Sequence, residues 1–506
     1  MSRPRIILVT IGLMLGLFMA SMEVTVVSTA MPTIVGELGG LALYSWVFSA
    51  YMVTSTTTIP LFGKLSDIYG RRSVYAVAML LFLVGSLLCG RATSMTQLVA
   101  FRALQGLGAG GVAPLTFVVI GAMFTLEQRA KMQGVFASIW GLSSVVGPLL
   151  GGFLVDQVSW PWIFYINVAP GLLALALFWV GWREPEHDAN APLAPIDYWG
   201  AALLTAGVVL FLLGLMNVGT TTGWALLTST ALVLGGLAWV ERRAADPVLP
   251  VALFGNRMFA VACLHGVLTG AAMFGCLSYV PLFVQVALNT SATAAGAALT
   301  PMIIGWVIAS IIGSRLLLRF GYLFLVIGGT ASLTVGAFLL SQMGANASRL
   351  YILTSLTLMG IGMGMSISPF LIVVQSIVQR RLLGIATSTI QFSRTIGGTI
   401  GVSVMGVMLS LGLTRQLIAA GLDPTVVSVD SLLDGLGEGM SVELAATLRT
   451  ALTLATQNVF LVAFITAALG LVVTLFTPRG LLPETGTQSP PIQLRTEETK
   501  LTSVAE

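Results

Sequence analysis

The chain has 506 residues, of which 56% are hydrophobic and only 9% are charged, with a formal net charge of +4. A soluble domain carries about 25% charged residues, so this composition is too apolar to cover a surface that faces water. The mean hydropathy of +0.95 agrees with that reading. These numbers exclude a soluble protein and predict an all-α integral membrane protein whose first partner is the lipid bilayer.

Apolar stretches of the length of a membrane span follow one another along almost the whole chain. A bilayer core about 30 Å thick requires roughly 20 apolar helical residues. The first stretch follows Arg3 and Arg5 and continues too far to be a signal peptide. We predict fourteen spans, with twelve to fourteen as the range because several stretches are long, at 8–35, 43–63, 73–91, 97–121, 133–156, 163–182, 198–218, 223–240, 258–286, 294–318, 321–341, 350–377, 384–412 and 451–477.

The basic residues predict the orientation of these spans. With the N-terminus inside, most of the 24 Lys and Arg residues fall in cytoplasmic segments, as the positive-inside rule requires. We therefore expect an even number of spans, both termini in the cytoplasm, and a multi-pass protein of the plasma (inner) membrane. The same rule accounts for the basic charge balance without any nucleic-acid partner.

Two segments outside the predicted spans have a different composition. Residues 413–450 form the longest external segment, which is acidic, and no Gly or Pro occurs from Ser441 to Leu469. The last helix is therefore expected to project from the membrane at 413–450 and to offer a surface to an external partner. Residues 479–506 are polar and contain Pro, which predicts a disordered cytoplasmic tail.

Two sequence patterns recur at equivalent places in the two halves. "GLGAGGVAP" (106–114) and "GIGMGMSISP" (360–369) both place three glycines at every second position before a proline. "GKLSDIYG" and "GSRLLLRFG" each end a span at the predicted cytoplasmic face. Since transporters are often built from repeats, we predict an N-terminal six-helix bundle over 1–183, an inserted hairpin of spans 7 and 8 with flanking linkers over 184–257, and a C-terminal six-helix bundle over 258–478.

Three motifs of the first half carry a resemblance to a known family. "GKLSDIYGRR" (63–72) is similar to the major facilitator superfamily signature between helices 2 and 3. "RALQGLGAGG" (102–111) resembles the helix 4 segment of that family, and "GLSSVVGPLLGG" (141–152) resembles its helix 5 antiporter motif. The resemblance implies a major facilitator fold and, by default, a monomer.

Further motifs resemble one subfamily, the fourteen-helix drug:proton antiporters. They are "MEVTVVSTAMP" (22–32), "WPWIFYINVAPG" (160–171), "IDYWG" (196–200) and "QFSRTIGGTIG" (391–401). The resemblance covers about residues 8–478 and implies two six-helix bundles plus an inserted hairpin, without naming a substrate.

Glu23 is the acid that lies clearly in the middle of a predicted span. An intramembrane carboxylate is costly and is by default a functional residue. We interpret it as the proton-coupling group, with a structural hydrogen-bonding role as the alternative; the family segment usually has Asp at this point. We assign Arg102 to proton coupling together with Glu23. Arg102 also needs a partner, which is either Glu23, despite a depth difference of about 10 Å, or Gln105 with backbone carbonyls. Arg394 in span 13 poses the same question.

The loop at 63–72 predicts a conformational latch at the cytoplasmic face. Asp67 can accept backbone N–H bonds or pair with nearby arginines, and we expect it to favour the N-terminal end of span 13, near Gly384. The alternative is that the charges only enforce topology. The residues assigned to the latch are Gly63, Asp67, Gly70, Arg71, Arg72 and Arg129.

Other candidates are expected to shape the protein rather than to carry protons. A small-residue face with a kink comprises Gly141, Gly147, Pro148, Gly151 and Gly152, and the resemblance assigns it to the antiporter motif. His265 is predicted to be a packed or hydrogen-bonded histidine. The three cysteines lie inside apolar stretches and predict neither a disulfide nor a metal site. Candidates to line a pliable cavity are Trp46, Tyr51, Gln105, Phe274, Trp306, Gln391 and Arg394.

These observations favour a proton-coupled secondary exporter of amphipathic, often cationic, drugs or xenobiotics, driven by the proton gradient without a cofactor. The alternative cargo is a lipid, a glycolipid or a peptide-like metabolite, which the projection at 413–450 would suit. A primary pump is disfavoured because the chain has no G-x-x-x-x-G-K-[ST] loop. A membrane enzyme is disfavoured because the chain has two histidines; a receptor or a channel stays open.

Overall fold

The computed structural model describes residues 2–40, 43–184, 197–244, 247–249, 251–287, 297–344, 347–421 and 442–479. Within these residues every regular element is helical and no strand occurs. The helices are α1 (Arg3–Leu38), α2 (Tyr44–Tyr69), α3 (Arg71–Cys89), α4 (Met95–Met123), α5 (Leu126–Gln157), α6 (Trp162–Tyr165), α7 (Val168–Gly181), α8 (Tyr198–Met216), α9 (Thr221–Glu241), α10 (Val251–Phe254), α11 (Arg257–Ala287), α12 (Thr300–Phe320), α13 (Tyr322–Ser341), α14 (Arg349–Ile377), α15 (Leu383–Ala419) and α16 (Val442–Thr474).

Helices dominate because a chain in lipid must satisfy its backbone hydrogen bonds within each segment. Polar caps fix where several of them begin. The side chains of Ser94, Thr125, Thr220 and Ser348 each accept a hydrogen bond from the backbone N–H three residues further on, at the starts of α4, α5, α9 and α14.

Twelve of the described helices are long and apolar enough to cross a membrane. Helices α2 and α5 exceed 25 residues but are not in this set. Hydroxyl residues fill 54–58 in α2, which lowers its mean hydropathy. The all-helical membrane architecture is confirmed with about twelve candidate spans, and the count of fourteen stays a prediction.

Two groups of helices pack mainly among themselves, α1 to α7 and α11 to α16. Helices α8 and α9 pack on each other, and α8 contacts both α2 and α15. The two groups meet where α2 and α4 pack on α15 and where α5 packs on α12. The division at 183 and 257 stays a prediction, as does the inserted character of the hairpin.

The repeated glycine motifs have the same packing role in α4 and α14. A Cβ atom at successive motif glycines would clash with α2 and α3 in turn, or with α12 and α13 in turn, at Gly106, Gly108, Gly110, Gly360, Gly362 and Gly364. Alternate positions of a helix point to roughly opposite sides. Each helix is therefore held tightly between two neighbours, and the repeat predicted from the sequence is present in the packing.

The loops that follow α2 and α12 also correspond. Gly70 has φ 83° and ψ 151°, and Gly321 has φ 76° and ψ 170°. This region of backbone conformation is essentially restricted to glycine. One glycine in each half thus joins two consecutive helices directly. Most of the predicted external projection, 422–441, and almost all of the predicted tail, 480–506, lie outside the described residues.

Candidate functional site

Glu23 of α1 and Arg102 of α4 form a direct ion pair inside the helical bundle. Arg102 Nη1 donates to Glu23 Oε1 at 2.6 Å, and each side chain is 1% exposed. A buried ion pair needs further hydrogen bonds to offset the desolvation of both charges. The pair is therefore best described together with the polar groups around it.

Arg102 makes three further contacts inside the bundle. Its Nη1 donates to Gln105 Oε1 at 2.7 Å, its Nε donates to the carbonyl of Val47 at 3.2 Å, and its guanidinium lies 4.2 Å from the centre of the Tyr51 ring. Gln105 is three residues from Arg102, which places both on one face of α4. The sequence left Glu23, or Gln105 with a carbonyl, as alternative partners of Arg102. In the structure Arg102 contacts all of them at once.

Sequence reasoning missed two members of this network. Asn167, just before α7, donates its side-chain N–H to Glu23 Oε2 at 2.7 Å. Gln105 Nε2 donates to Ser86 Oγ of α3 at 2.8 Å. The signal was present for Asn167, since it is the one amide within the otherwise apolar "YINVAPG" segment, whereas serine is too common inside membrane helices to mark Ser86.

The network formed by Glu23, Arg102, Asn167, Gln105 and Ser86 contains one carboxyl group that can take up or release a proton. With Glu23 ionised, its charge and that of Arg102 cancel. Protonation of Glu23 would leave Arg102 with an uncompensated positive charge in a region of low dielectric, which is unfavourable. The arrangement therefore couples the protonation state of one carboxyl to the packing of α1 against α4.

Asp67 lies at the N-terminus of α15, where the sequence predicts it. Its Oδ1 accepts the backbone N–H of Gly384 at 2.9 Å, and its Oδ2 accepts that of Ile385 at 2.9 Å. Free N–H groups and the helix dipole both favour an anion at this point. Gly63 and Gly384 let α2 and α15 approach closely, because a Cβ on either glycine would meet backbone or side-chain atoms of the other helix.

The arginines assigned to the latch have contacts of their own. The backbone N–H of Arg72 donates to Glu184 Oε1 at 2.6 Å, and its guanidinium lies 4.1 Å from the Trp179 ring. Arg129 Nε donates to the carbonyl of Phe124 at 2.9 Å. Arg71 Nε is buried and has no hydrogen-bond partner within the described part of the chain. The sequence allowed Asp67 either to accept backbone N–H bonds or to pair with a nearby arginine. In the structure it accepts the backbone N–H bonds.

A second contact joins the two helix groups at the same end of the molecule. Gln375 of α14 donates from Nε2 to the carbonyl of Phe117 in α4 at 3.0 Å and lies 3.3 Å from Thr387 Oγ1 in α15. Together with the Asp67 latch, this amide closes the end of the bundle that the basic residues predict to be cytoplasmic.

The glycines of the helix 5 motif face different neighbours. A Cβ on Gly147 or Gly151 would meet Thr25 or Thr29 of α1, whereas a Cβ on Gly141 would lie 3.1 Å from Ile303 Cγ2 of α12. Gly152 has nothing within 4 Å of that position. Two of these glycines therefore set the approach of α5 to α1. The side chain of Pro148 lies outside those that the structure describes.

The residues predicted to line a cavity have several different environments. Tyr51 and Gln105 belong to the surroundings of Arg102, the Trp306 ring lies 6.5 Å from that of Trp140, and Phe274 packs at Gly398. Trp46 is 39% exposed, Gln391 is buried, and Arg394 has a buried Nε without a hydrogen-bond partner within the described residues.

A cavity of about 770 Å³ lies elsewhere, between the C-terminal end of α8 and the helices α11 and α15. Its lining includes Leu215, Tyr279, Val402, Gly406 and Ser410. None of the residues predicted for a cavity contributes to it.

His265 is packed and hydrogen-bonded, as predicted. Its Nε2 lies 3.0 Å from Thr330 Oγ1, and its ring centre lies 4.7 Å from that of Phe370. Cys89, Cys263 and Cys276 are free and buried. Within the described residues, no group of three His, Cys, Asp or Glu side chains is placed to hold a metal ion.

Comparison with known proteins places this architecture in a family. The family model described as Major Facilitator Superfamily matches residues 13–402. The multidrug transporter protein MdtP of Bacillus subtilis is 39% identical over 414 residues, which cover 80% of this chain and 75% of the relative. Multidrug resistance protein 3 of the same organism is 37% identical over 416 residues, which cover 81% and 80%.

A solved structure has the same fold at low sequence identity. The proton:xylose symporter XylE superposes with a TM-score of 0.63 and 14% identity, covering 94% of this chain and 97% of the symporter. With the family match, this likeness fixes the fold as an all-helical major facilitator fold. The chain belongs to the Major Facilitator Superfamily, whose members are membrane transporters and not enzymes.

Proposed function

We propose that the protein is a proton-coupled antiporter that exports amphipathic drugs or xenobiotics across the plasma membrane by alternating access. The observation that carries this proposal is the fully buried Glu23–Arg102 pair with its Asn167 hydrogen bond. An ionisable residue held inside a membrane bundle is characteristic of proton pathways. The printed names of the two Bacillus relatives support drugs as the cargo.

The Asp67 latch and the Glu23–Arg102 pair have different roles in the proposed transport cycle. The Asp67 latch and Gln375 hold one end of the bundle closed, and opening that end requires the Asp67 carboxylate to leave the two N–H groups. Protonation of Glu23 weakens its ion pair with Arg102 and so alters the packing of α1 against α4. A proton taken up at Glu23 in one conformation and released in the other would drive cargo in the opposite direction.

We also propose both termini in the cytoplasm, fourteen spans with α8 and α9 as an inserted hairpin, and a monomer without a cofactor. The alternative cargo, a lipid, glycolipid or peptide-like metabolite, is assigned to the same transport cycle. Residues 413–450 remain the proposed surface for an external partner.

Flux across proteoliposomes tests the proposal. The full-length protein is reconstituted, and transport of a cationic dye is followed with and without an imposed pH gradient. We expect flux to require the gradient, to be lost in Glu23→Gln and to persist in Glu127→Gln, because Glu127 is an exposed acid paired with Lys131. Flux that is unchanged in Glu23→Gln would overturn the proton role.

The same vesicles distinguish the two classes of cargo. Fluorescent lipid and glycolipid analogues replace the dye, with the gradient unchanged. Gradient-dependent movement of the lipids but not of the dye would favour the alternative.

A further inference from the structure

Arg394 of α15 is an intramembrane arginine that the proton-coupling network does not use. Its side chain is half-buried, its Nε is buried without a hydrogen-bond partner, and within the described residues no ion pair joins it to an acid. Arg102 in the other half, by contrast, has several partners. It contacts a carboxylate, an amide, a carbonyl and an aromatic ring. An unpaired buried charge is unfavourable unless a counter-charge reaches it.

The backbone around Arg394 is held tightly in place. Helices α11 and α15 approach closely here, because a Cβ on Gly270 would lie 3.2 Å from Arg394 Cα and a Cβ on Gly266 would lie 3.6 Å from Arg394 N. One turn further on, Gly398 packs against the ring of Phe274. Gln391, three residues before Arg394, is 6% exposed and shares its face of the helix. The turns of α11 and α15 that carry Phe274, Gln391 and Arg394 therefore lie against each other.

The depth of Arg394 corresponds to the middle of the membrane. Gly384 marks the closed end of the bundle through its bond to Asp67. At a rise of 1.5 Å per residue, Arg394 lies about 15 Å further along the helix axis. That is half of the roughly 30 Å hydrocarbon core, and transporters of this kind bind their cargo near the midplane.

We propose that Arg394 is the binding site for an anionic group of the cargo, a carboxylate, phosphate or sulfonate, with Gln391 and Phe274 beside it. The proposal rests on the proposed export of amphipathic molecules and adds an anionic group to the features that the site recognises, so that a zwitterion binds more tightly than a cation of the same size. A planar guanidinium binds such groups through two parallel hydrogen bonds. Glu23 cannot supply the counter-charge, because Arg102 and Asn167 already occupy its oxygens.

Equilibrium binding of a matched dye pair tests the site. A rhodamine with a free carboxylate and the methyl ester of the same dye are titrated into purified full-length protein, with fluorescence polarisation as the readout. We expect tighter binding of the carboxylate, a loss of about tenfold or more in Arg394→Gln, and at most a twofold change for the ester. Arg394→Lys keeps the charge but not the two parallel hydrogen bonds, so its carboxylate affinity should lie between those of the wild type and Arg394→Gln. Arg315→Gln, at an exposed arginine of α12, should change the affinity for neither dye.

Equal binding of both dyes by the wild type, or equal losses in Arg394→Gln, would overturn the proposal. A second measurement on the wild type alone does not depend on the folding of any variant. A ligand that binds the folded state raises the melting temperature, so the carboxylate dye should raise it more than the ester. Because no gradient is applied, a negative result leaves proton-coupled export standing, whereas absence of gradient-driven flux contradicts export and leaves the site intact.

Discussion

The carboxylate of Asp67 and the backbone N–H of Gly384 are joined at 2.9 Å across 317 residues of sequence. The contact links the last turn of α2 to the first turn of α15, and so links the two helix groups. A charged acceptor at a helix N-terminus gains both from the free N–H groups and from the helix dipole. This single side chain therefore joins the two helix groups at that end of the bundle.

Asp67→Asn should shift the protein toward the state that is open at this end. The amide keeps one acceptor but loses the charge and directs N–H groups at other N–H groups, which costs on the order of 2 kcal/mol. The readout is the reactivity of Ser388→Cys, a fully buried position beside Gly63, with a water-soluble thiol reagent. The native cysteines are buried and give a low background.

The matched control for this experiment is Asp156→Asn, which neutralises an exposed acid of α5. It should leave the reactivity of the cysteine unchanged. Equal labelling in Asp67→Asn and in its parent would show that the charge only enforces topology.

Substitution of Gly70 and of Gly321 tests whether the glycine that joins two consecutive helices has the same role in both halves. Both have a backbone conformation that alanine adopts only under strain, so Gly70→Ala and Gly321→Ala should each lower the free energy of unfolding by about 1–3 kcal/mol. Chemical denaturation in detergent measures the loss. Gly321 has open space around its Cβ position, so strain alone acts there, and an unaltered Gly321→Ala variant would contradict the argument.

Alanine substitutions at Gly151 and Gly152 distinguish the effect of close helix packing from the effect of helix propensity on stability. A Cβ on Gly151 would lie 3.0 Å from the carbonyl of Val26 and would clash with Thr29, whereas Gly152 has open space. Gly151→Ala should force α5 away from α1 and lower the melting temperature. Gly152→Ala should be neutral or stabilising by up to about 1 kcal/mol, because alanine is the better helix former. Similar melting temperatures for the two variants would argue against close packing of α5 on α1.

The contacts that follow from backbone physics could be predicted from the sequence, and those that depend on side-chain reach could not. An acid in a tight loop and a helix start near Gly384 sufficed to place Asp67, because a helix N-terminus attracts an anion wherever it lies. The pairing of Glu23 with Arg102 stayed open, because counting residues along two helices gave depths about 10 Å apart. The 2.6 Å ion pair closes that gap, and neither the relative position of two helices nor the conformation of their side chains is visible in the sequence.

Asn167 shows a second limit. It lies where α6 gives way to α7, and the short break turns its amide toward Glu23. Hydropathy marks 163–182 as one continuous span, so the break and its functional consequence were not predicted.

A double-mutant cycle on Glu23 and Arg102 should reveal strong coupling. Each single variant, Glu23→Gln or Arg102→Gln, leaves one buried charge without its partner, and breaking a buried ion pair in this way costs about 3–5 kcal/mol. The double variant removes both charges and leaves amides that can hydrogen-bond with Asn167 and Gln105. It should therefore be more stable than at least one single variant, as measured by unfolding of the purified protein in detergent. Additive losses would mean that the two side chains do not interact, and the Glu23 carboxylate would then need another partner to remain ionised inside the bundle.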